Sequence, residues 1–213
     1  MKTIYFFFCS LLIFVASIRA EDPSIYLEGR LPKTNGRYKT FYEALRLMSE
    51  RRVKIVVETG TERWLDQNYC FDGDGGSTII FGDWAFRNNA LMYSVDINQT
   101  HLTYSQDNTL PFLPNLNLVL SDSVEFLKKF PYPINFLYLD SYDYNHSDPT
   151  PSQKHCLNEV LAAENKLGDD AIIMIDDCNI PGGGKGKLAI EYLLYKGWYL
   201  HKNYHQVILL KRP

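Results

Sequence analysis

The chain has 213 residues, 46% apolar, 22% charged and 14% aromatic, with a formal charge of -3. That length suits one domain with a sizeable core, and the aromatic share excludes a disordered tract. The charge lacks the basic excess of a nucleic-acid-binding surface, so no nucleic-acid partner is expected.

Residues 1–20 read as a signal peptide or an N-terminal anchor. Lys2 precedes an apolar run from Ile4 to Ile18, and Ala20 stands ahead of Glu21-Asp22. The run is short for a membrane span of about 20 residues, so membrane contact is expected only if the segment stays uncleaved. Export to a periplasm or outside the cell, or anchoring through this segment, is the expected location. Cys9 falls in it, and Cys70, Cys156 and Cys178 have no C-x-x-C spacing. No disulfide framework is expected.

Residues 21–39, with Pro23, Gly29, Pro32 and Gly36, read as a lead-in to one domain over 40–213. Thr40-x-x-Glu43 has capping-box spacing, so a helix is expected from Thr40 to Arg51-Arg52, with Phe41, Leu45 and Met48 on one face. From Val53 onward strand-like and helical runs alternate. The expected strands are Lys54–Glu58, Leu91–Asp96, Leu116–Leu120, Asn135–Leu139 and Ala171–Ile175. They are mostly apolar rather than alternating, as in parallel strands covered on both faces.

The helices carry their own punctuation. One is expected over Thr78–Asn88 after the glycine-rich Gly73-Asp74-Gly75-Gly76-Ser77. Asp122-x-x-Glu125 caps a short helix ending at Lys129. Thr150-Pro151 opens a longer one, with Leu157, Val160, Leu161 and Leu167 inward and Gly168 as its stop. Another spans Lys187–Lys196. Trp198–His201 and Gln206–Leu210 then form a terminal hairpin. The pattern predicts a Rossmann-like α/β fold, a doubly wound and mostly parallel sheet with a C-terminal antiparallel hairpin.

Ligands of such sheets bind beyond the carboxyl ends of the strands. The polar residues there are Glu58, Asp96, Ser121-Asp122, Asp140 and Asp176-Asp177. A glycine-rich loop after the first strand suits a charged ligand, and an acid ending the second suits a ribose diol. Asp122 reads equally as a helix cap and as a contact to an adenine. Asp140, Asp176 and Asp177 are neighbouring like charges that call for a cation or a proton, and an all-oxygen set suits Mg²⁺ before Zn²⁺.

Glu58-Thr59-Gly60-Thr61, Gly75-Gly76-Ser77-Thr78, Ser94-Val95-Asp96, Asp140 and Asp176-Asp177 together resemble the class I S-adenosylmethionine-dependent methyltransferases. The likeness is nearest to the metal-dependent small-molecule O-methyltransferases of the catechol and cephalosporin-biosynthesis kind, from about Thr40 to the end. It implies that Glu58, Gly60, Thr61, Gly76 and Ser77 line the methionine half of S-adenosylmethionine. Asp96 would hold the ribose, with Ile97 and Asp122 near the adenine. Asp140, Asp176 and Asp177 would hold Mg²⁺, and the metal would bind the hydroxyl of a small-molecule acceptor.

Two departures stand out. Glu62–Asp74 is an insertion that could fold as a lid, with Trp64 and Tyr69 available to a ligand. The catechol enzymes carry a lysine base three residues after the first metal aspartate, and here that position is Asp143. Asp143, His146 or a metal-bound hydroxide is left as the proton acceptor. Lys185, in Gly182-Gly183-Gly184-Lys185-Gly186-Lys187, falls outside the phosphate-loop pattern and reads as part of a flexible loop. An inactive cofactor-binding protein of the same fold, and a metal-dependent phosphatase using Asp140 and Asp143 with Asp176, are the alternatives. The sequons Asn98-Gln99-Thr100 and Asn145-His146-Ser147 lie just after expected site residues, where a glycan would obstruct the mouth.

Overall fold

The computed structural model describes residues 21–66, 71 and 76–211. The expected signal or anchor segment, and Tyr69, Cys70 and Gly75 of the glycine-rich region, lie outside these residues. Among the described residues, seven strands form one sheet: β1 (Ile55–Thr59), β2 (Leu91–Asp96), β3 (Leu116–Leu120), β4 (Ile134–Leu139), β5 (Leu167–Ile175), β6 (Trp198–Asn203) and β7 (Val207–Lys211). Their order is β3-β2-β1-β4-β5-β7-β6. β1 to β5 are parallel, and β7 runs against both β5 and β6. The doubly wound sheet with its antiparallel hairpin is the architecture expected from the sequence.

Successive residues of a strand point to opposite faces, and here both faces are apolar. Val56, Met92, Phe136, Tyr138, Ile172 and Met174 join one core, with α1 (Ser24–Leu27), α2 (Tyr38–Glu50) and α3 (Ser77–Arg87). Val57, Leu137, Leu139, Ile173 and Ile175 join the other. There they pack under α5 (Ser123–Lys129), α6 (Thr150–Ala163) and α7 (Lys187–Tyr195). Phe81 of α3 lies 5.0 Å from Phe136 and 5.4 Å from Tyr138, ring centre to ring centre, both edge-on. Such pairs add about 0.5–1.5 kcal/mol to the burial of the rings.

Local chemistry accounts for some helix ends. Gly76 takes a left-handed φ of 61° before α3. Asp122 caps α5, its carboxylate accepting from the Glu125 N–H at 2.9 Å. Gly197, at φ 90°, follows α7.

The structure departs from the sequence expectations in five places. Thr40 is not the cap of α2, which begins at Tyr38. The hydroxyl of Thr40 is buried and bonds to the Arg37 carbonyl and to Gln206. The inward face of α6 is Cys156, Val160 and Ala163, whereas Leu161 is 44% exposed and Leu157 only half-buried. Gly168 lies inside β5, which starts at Leu167, so it does not end that helix. A helix over Gln99–Asn108, α4, was not anticipated, and Leu102 is its one buried apolar side chain. The stretch read as a lead-in contributes Tyr26, Leu27 and Leu31 to the core. No helix among the described residues is long and apolar enough to cross a membrane.

Candidate functional site

Strand order reverses between β1 and β4, and a doubly wound sheet opens a crevice at that point. The strand ends there are tied by backbone bonds: Gly60 N–H to the Val95 carbonyl (2.8 Å), Asp140 N–H to Thr59 (2.9 Å) and Ser121 N–H to Asp96 (3.0 Å). Gly60 has a φ of 81°, and a Cβ on it would lie 2.5 Å from the Asp140 carbonyl oxygen. Only glycine lets the two chains pass this closely.

Two adjoining cavities occupy the crevice. One, of about 190 Å³, has Gly60, Thr61, Ser77, Asp96, Asp140 and Asp143 among its lining residues. The other, of about 250 Å³, has Ser121, Asp122, Ser123, Ser141, Tyr142 and His155. Gly60, Asp96, Ile97 and Ser141 border both. The Asp96 carboxylate is held by the backbone N–H groups of Thr61 (3.1 Å) and Asn98 (2.7 Å) and by His101 Nδ1 (3.2 Å). Ile97 projects beside it, 75% exposed.

Glu58 faces neither cavity. It is fully buried, its Oε2 accepting from Thr78 (2.8 Å) and Ser94 (2.5 Å). Burial pushes its pKa up to about 7 against the opposing hydroxyls of Ser77, Ser94 and Thr78. Its part is to brace the start of α3 against β1 and β2.

Residues 62–66, the described start of the insertion after Thr61, are held by the unanticipated α4. Thr61 Oγ1 lies 2.7 Å from Ser105 Oγ, and Asn108 donates to the Trp64 carbonyl at 2.7 Å. Asp143, its side chain 80% exposed, pairs with Arg63 at 2.8 Å. His146 is exposed, its ring edge-on to Tyr144, and with Asp143, Tyr142 and Asp148 it borders a hollow of about 510 Å³ at the mouth. Asp140 and Asp143 border the same cavity, Asp140 paired with Lys185 and Asp143 with Arg63.

Of the carboxylates marked for Mg²⁺, Asp176 and Asp177 lie together with His205, and Asp140 lies outside that group. Lys185 stands among them, its Nζ 2.5 Å from Asp140 Oδ1 and 3.2 Å from Asp177 Oδ2. It is 3% exposed, and the three surrounding carboxylates hold it charged, well above the usual ammonium range, despite its burial. Burial pushes the Asp140 carboxyl up, and Lys185 opposes this. Asp176 accepts from Tyr138 OH (2.9 Å) and the Asp177 N–H (2.8 Å), with Arg37 Nε at 3.5 Å. Among the described residues, the group that could gather around an ion is Asp176, Asp177 and His205.

The sequence reading missed Lys185, which it placed in a flexible loop, and also His155 and Glu159. His155 Nε2 is 3.0 Å from Ser123 Oγ and 3.5 Å from Glu159, which also accepts from Ser141 at 2.7 Å. The hydrogen bond it donates to Glu159 pushes the His155 pKa up.

No protein-family model and no curated protein sequence matches the chain. Solved structures do share its fold. NSun6 from Pyrococcus horikoshii, solved with SFG, aligns with a TM-score of 0.59 at 12% identity over 79% of this chain and 50% of its own. MycE methyltransferase of the mycinamycin biosynthetic pathway, with Mg, SAH and mycinamycin VI, aligns at 0.59 and 15% identity, over 91% and 54%. SMU.1697c, a methyltransferase-like protein of Streptococcus mutans in complex with SAH, aligns at 0.55 and 14% identity, over 84% and 99%. The chain spans about half the length of the first two and nearly all of the third. Its fold is that of the class I S-adenosylmethionine-dependent methyltransferases.

Proposed function

We propose that the chain is an S-adenosylmethionine-dependent methyltransferase acting on a hydroxyl of a small molecule. The observation that carries this reading is the pair of adjoining cavities that meet over Asp96 at the switch point of the sheet. When bound, the cofactor supplies a methyl group on a sulfonium centre. Ser77, at the start of α3, offers a helix N-terminus to the methionine carboxylate. Asp96 takes the ribose, and Asp122, Ser123 and His155 border the space for the adenine.

Asp140 opens on the first cavity, where it would accept the proton of the acceptor hydroxyl. Asp143 and His146 stand at the mouth and bind or orient the acceptor. Acidic Asp143 and Asp148 with Tyr142 and His146 favour a small acceptor over a polyanion. Of the metal-dependent likeness, the hydroxyl acceptor is retained. The Mg²⁺ is not, because Lys185 stands within its expected ligands. Export or anchoring through residues 1–20 completes the proposal. An intact N-terminus on cytosolic protein would refute that part.

Calorimetric titration of the purified chain with S-adenosylmethionine tests the reading. Micromolar binding is expected, weakened at least a hundredfold by Asp96→Ala in a variant with an unchanged circular dichroism spectrum. No binding to the folded chain would sink it.

His101 gives a second, smaller check. A carboxylate has about four acceptor positions, and protein donors take three of those on Asp96. Both ribose hydroxyls fit only if His101 lets go. His101→Ala is expected to tighten binding about fivefold, the worth of a hydrogen bond of about 1 kcal/mol. Weaker binding would show instead that His101 holds the ligand or the aspartate in place.

A further inference from the structure

The loop between β5 and α7 is built to deliver one side chain. Gly182, Gly183 and Gly184 all have positive φ, at 89°, 89° and 64°. A Cβ on Gly184 would lie 1.9 Å from the Asp177 carbonyl oxygen, so the chain doubles back against Asp177 where only glycine fits. The turn is pinned from α6, because Gln153 Nε2 donates to the carbonyls of Gly182 (3.1 Å) and Gly184 (3.0 Å). Tyr144 OH donates to Pro181 (2.6 Å), and the Lys185 N–H donates to Asp177 (3.1 Å). A loop held at both ends by side chains from other elements is not a flexible tether. It turns the Lys185 ammonium inward, onto Asp140 and Asp177.

Fixed cations offset two of the three carboxylate charges of this cluster without an ion. Three carboxylates, Asp140, Asp176 and Asp177, face two fixed cations: Lys185 between the first and third, and Arg37 beside the second. Two fixed positive charges equal those of one Mg²⁺. A magnesium ion needs oxygens at about 2.0–2.1 Å in near-octahedral array. One oxygen of Asp140 and one of Asp177 already face an ammonium, at 2.5 and 3.2 Å, and that charge would repel a dication placed beside them.

We propose that Lys185 is a built-in replacement for the divalent ion of the metal-dependent methyltransferases, so that this site is assembled without a metal. Lys185 is a positioning residue. It neutralises Asp140 and Asp177 from behind and leaves the face of Asp140 toward the cavity free for an acceptor. The inference rests on the methyltransferase reading only for where the ion would sit.

Its test is ion binding, which is read separately from methyl transfer. The full chain, Lys185→Ala and Lys185→Met are titrated with Mn²⁺, followed by electron paramagnetic resonance and by thermal unfolding. The wild type is expected to hold no ion in the crevice up to millimolar Mn²⁺ and to show no Mn²⁺-dependent shift in midpoint. Removing the ammonium frees the carboxylates, so either variant is expected to bind one Mn²⁺ at least tenfold more tightly and to be stabilised by it. Wild-type binding that Asp140→Asn, Asp177→Asn or His205→Ala weakens would overturn the proposal. So would folded variants that gain no ion. If both variants fail to fold, the wild-type titration decides, since a crevice ion there refutes the proposal and its absence supports it. A chain that behaves as expected here yet fails to bind S-adenosylmethionine would lose the cofactor reading and keep this one.

Discussion

Gly60→Ala is expected to lower the stability of the fold by about 3 kcal/mol or more and to abolish cofactor binding in whatever folds. The cost has two sources. A residue with a Cβ at φ 81° pays about 1–2 kcal/mol for the left-handed region alone. The added methyl would also lie 2.5 Å from the Asp140 carbonyl oxygen and 2.8 Å from its carbon. These are backbone atoms, so no side-chain rotation relieves the overlap, and overpacking of this kind costs about 1–3 kcal/mol.

The midpoint of thermal unfolding should fall by roughly 6–12 °C for a chain of this size. Gly76→Ala is the control. Its φ of 61° carries a similar conformational cost, but the added methyl meets the ring of Phe71, a side chain that can turn aside. A smaller loss is expected there, with the fold kept. Equal losses at the two glycines would show that backbone conformation, and not the approach of β1 to β4, sets the requirement at Gly60.

The strand ends were legible in the sequence because one physical cause governs both the pattern and the site. Runs such as Leu91–Val95 and Phe136–Leu139 are mostly apolar because helices cover both faces. Each run stops where a polar residue reaches the crevice, which is why Asp96 and Asp140 fall on the cavity wall. Helix α4 was not legible, since Leu102 is its one buried apolar side chain and period 3.6 has nothing else to mark. The Asn98 side chain accepting from Thr100 N–H at 2.9 Å, a helix cap, was the local signal available.

Lys185 was hidden for another reason. Three glycines in a row read as freedom when only the chain is considered. The positive φ angles and the bonds from Gln153 that turn them into a rigid delivery arm come from tertiary structure. His155 and Glu159 sit mid-helix, where nothing in the sequence separates a site-facing pair from a solvated one.

Glu58→Gln is expected to remove a pH dependence of about 3 kcal/mol from the stability of the fold. Glu58 is buried, with a pKa of about 7 against an ordinary 4.5. Each unit of difference is worth 1.36 kcal/mol, so the folded chain prefers the protonated carboxyl by about that total. The folded pKa is the raised one. The stabilisation is therefore complete below pH 4.5, where both states hold the proton. It is lost as pH rises to 7, because the unfolded chain has already released the proton and the folded chain has not. Above pH 7 the fold carries a buried carboxylate.

Glutamine keeps an oxygen to accept from Thr78 and Ser94 and cannot ionise. Wild type and variant should match near pH 4, and the variant should be the more stable at pH 8. Denaturant unfolding of both proteins across that range measures the difference, and other titrating groups cancel in it. A variant less stable than wild type at every pH would mean that the carboxylate is held by these hydroxyls as an anion, with desolvation overcome. In that case the start of α3 would be organised around a fixed negative charge next to the crevice.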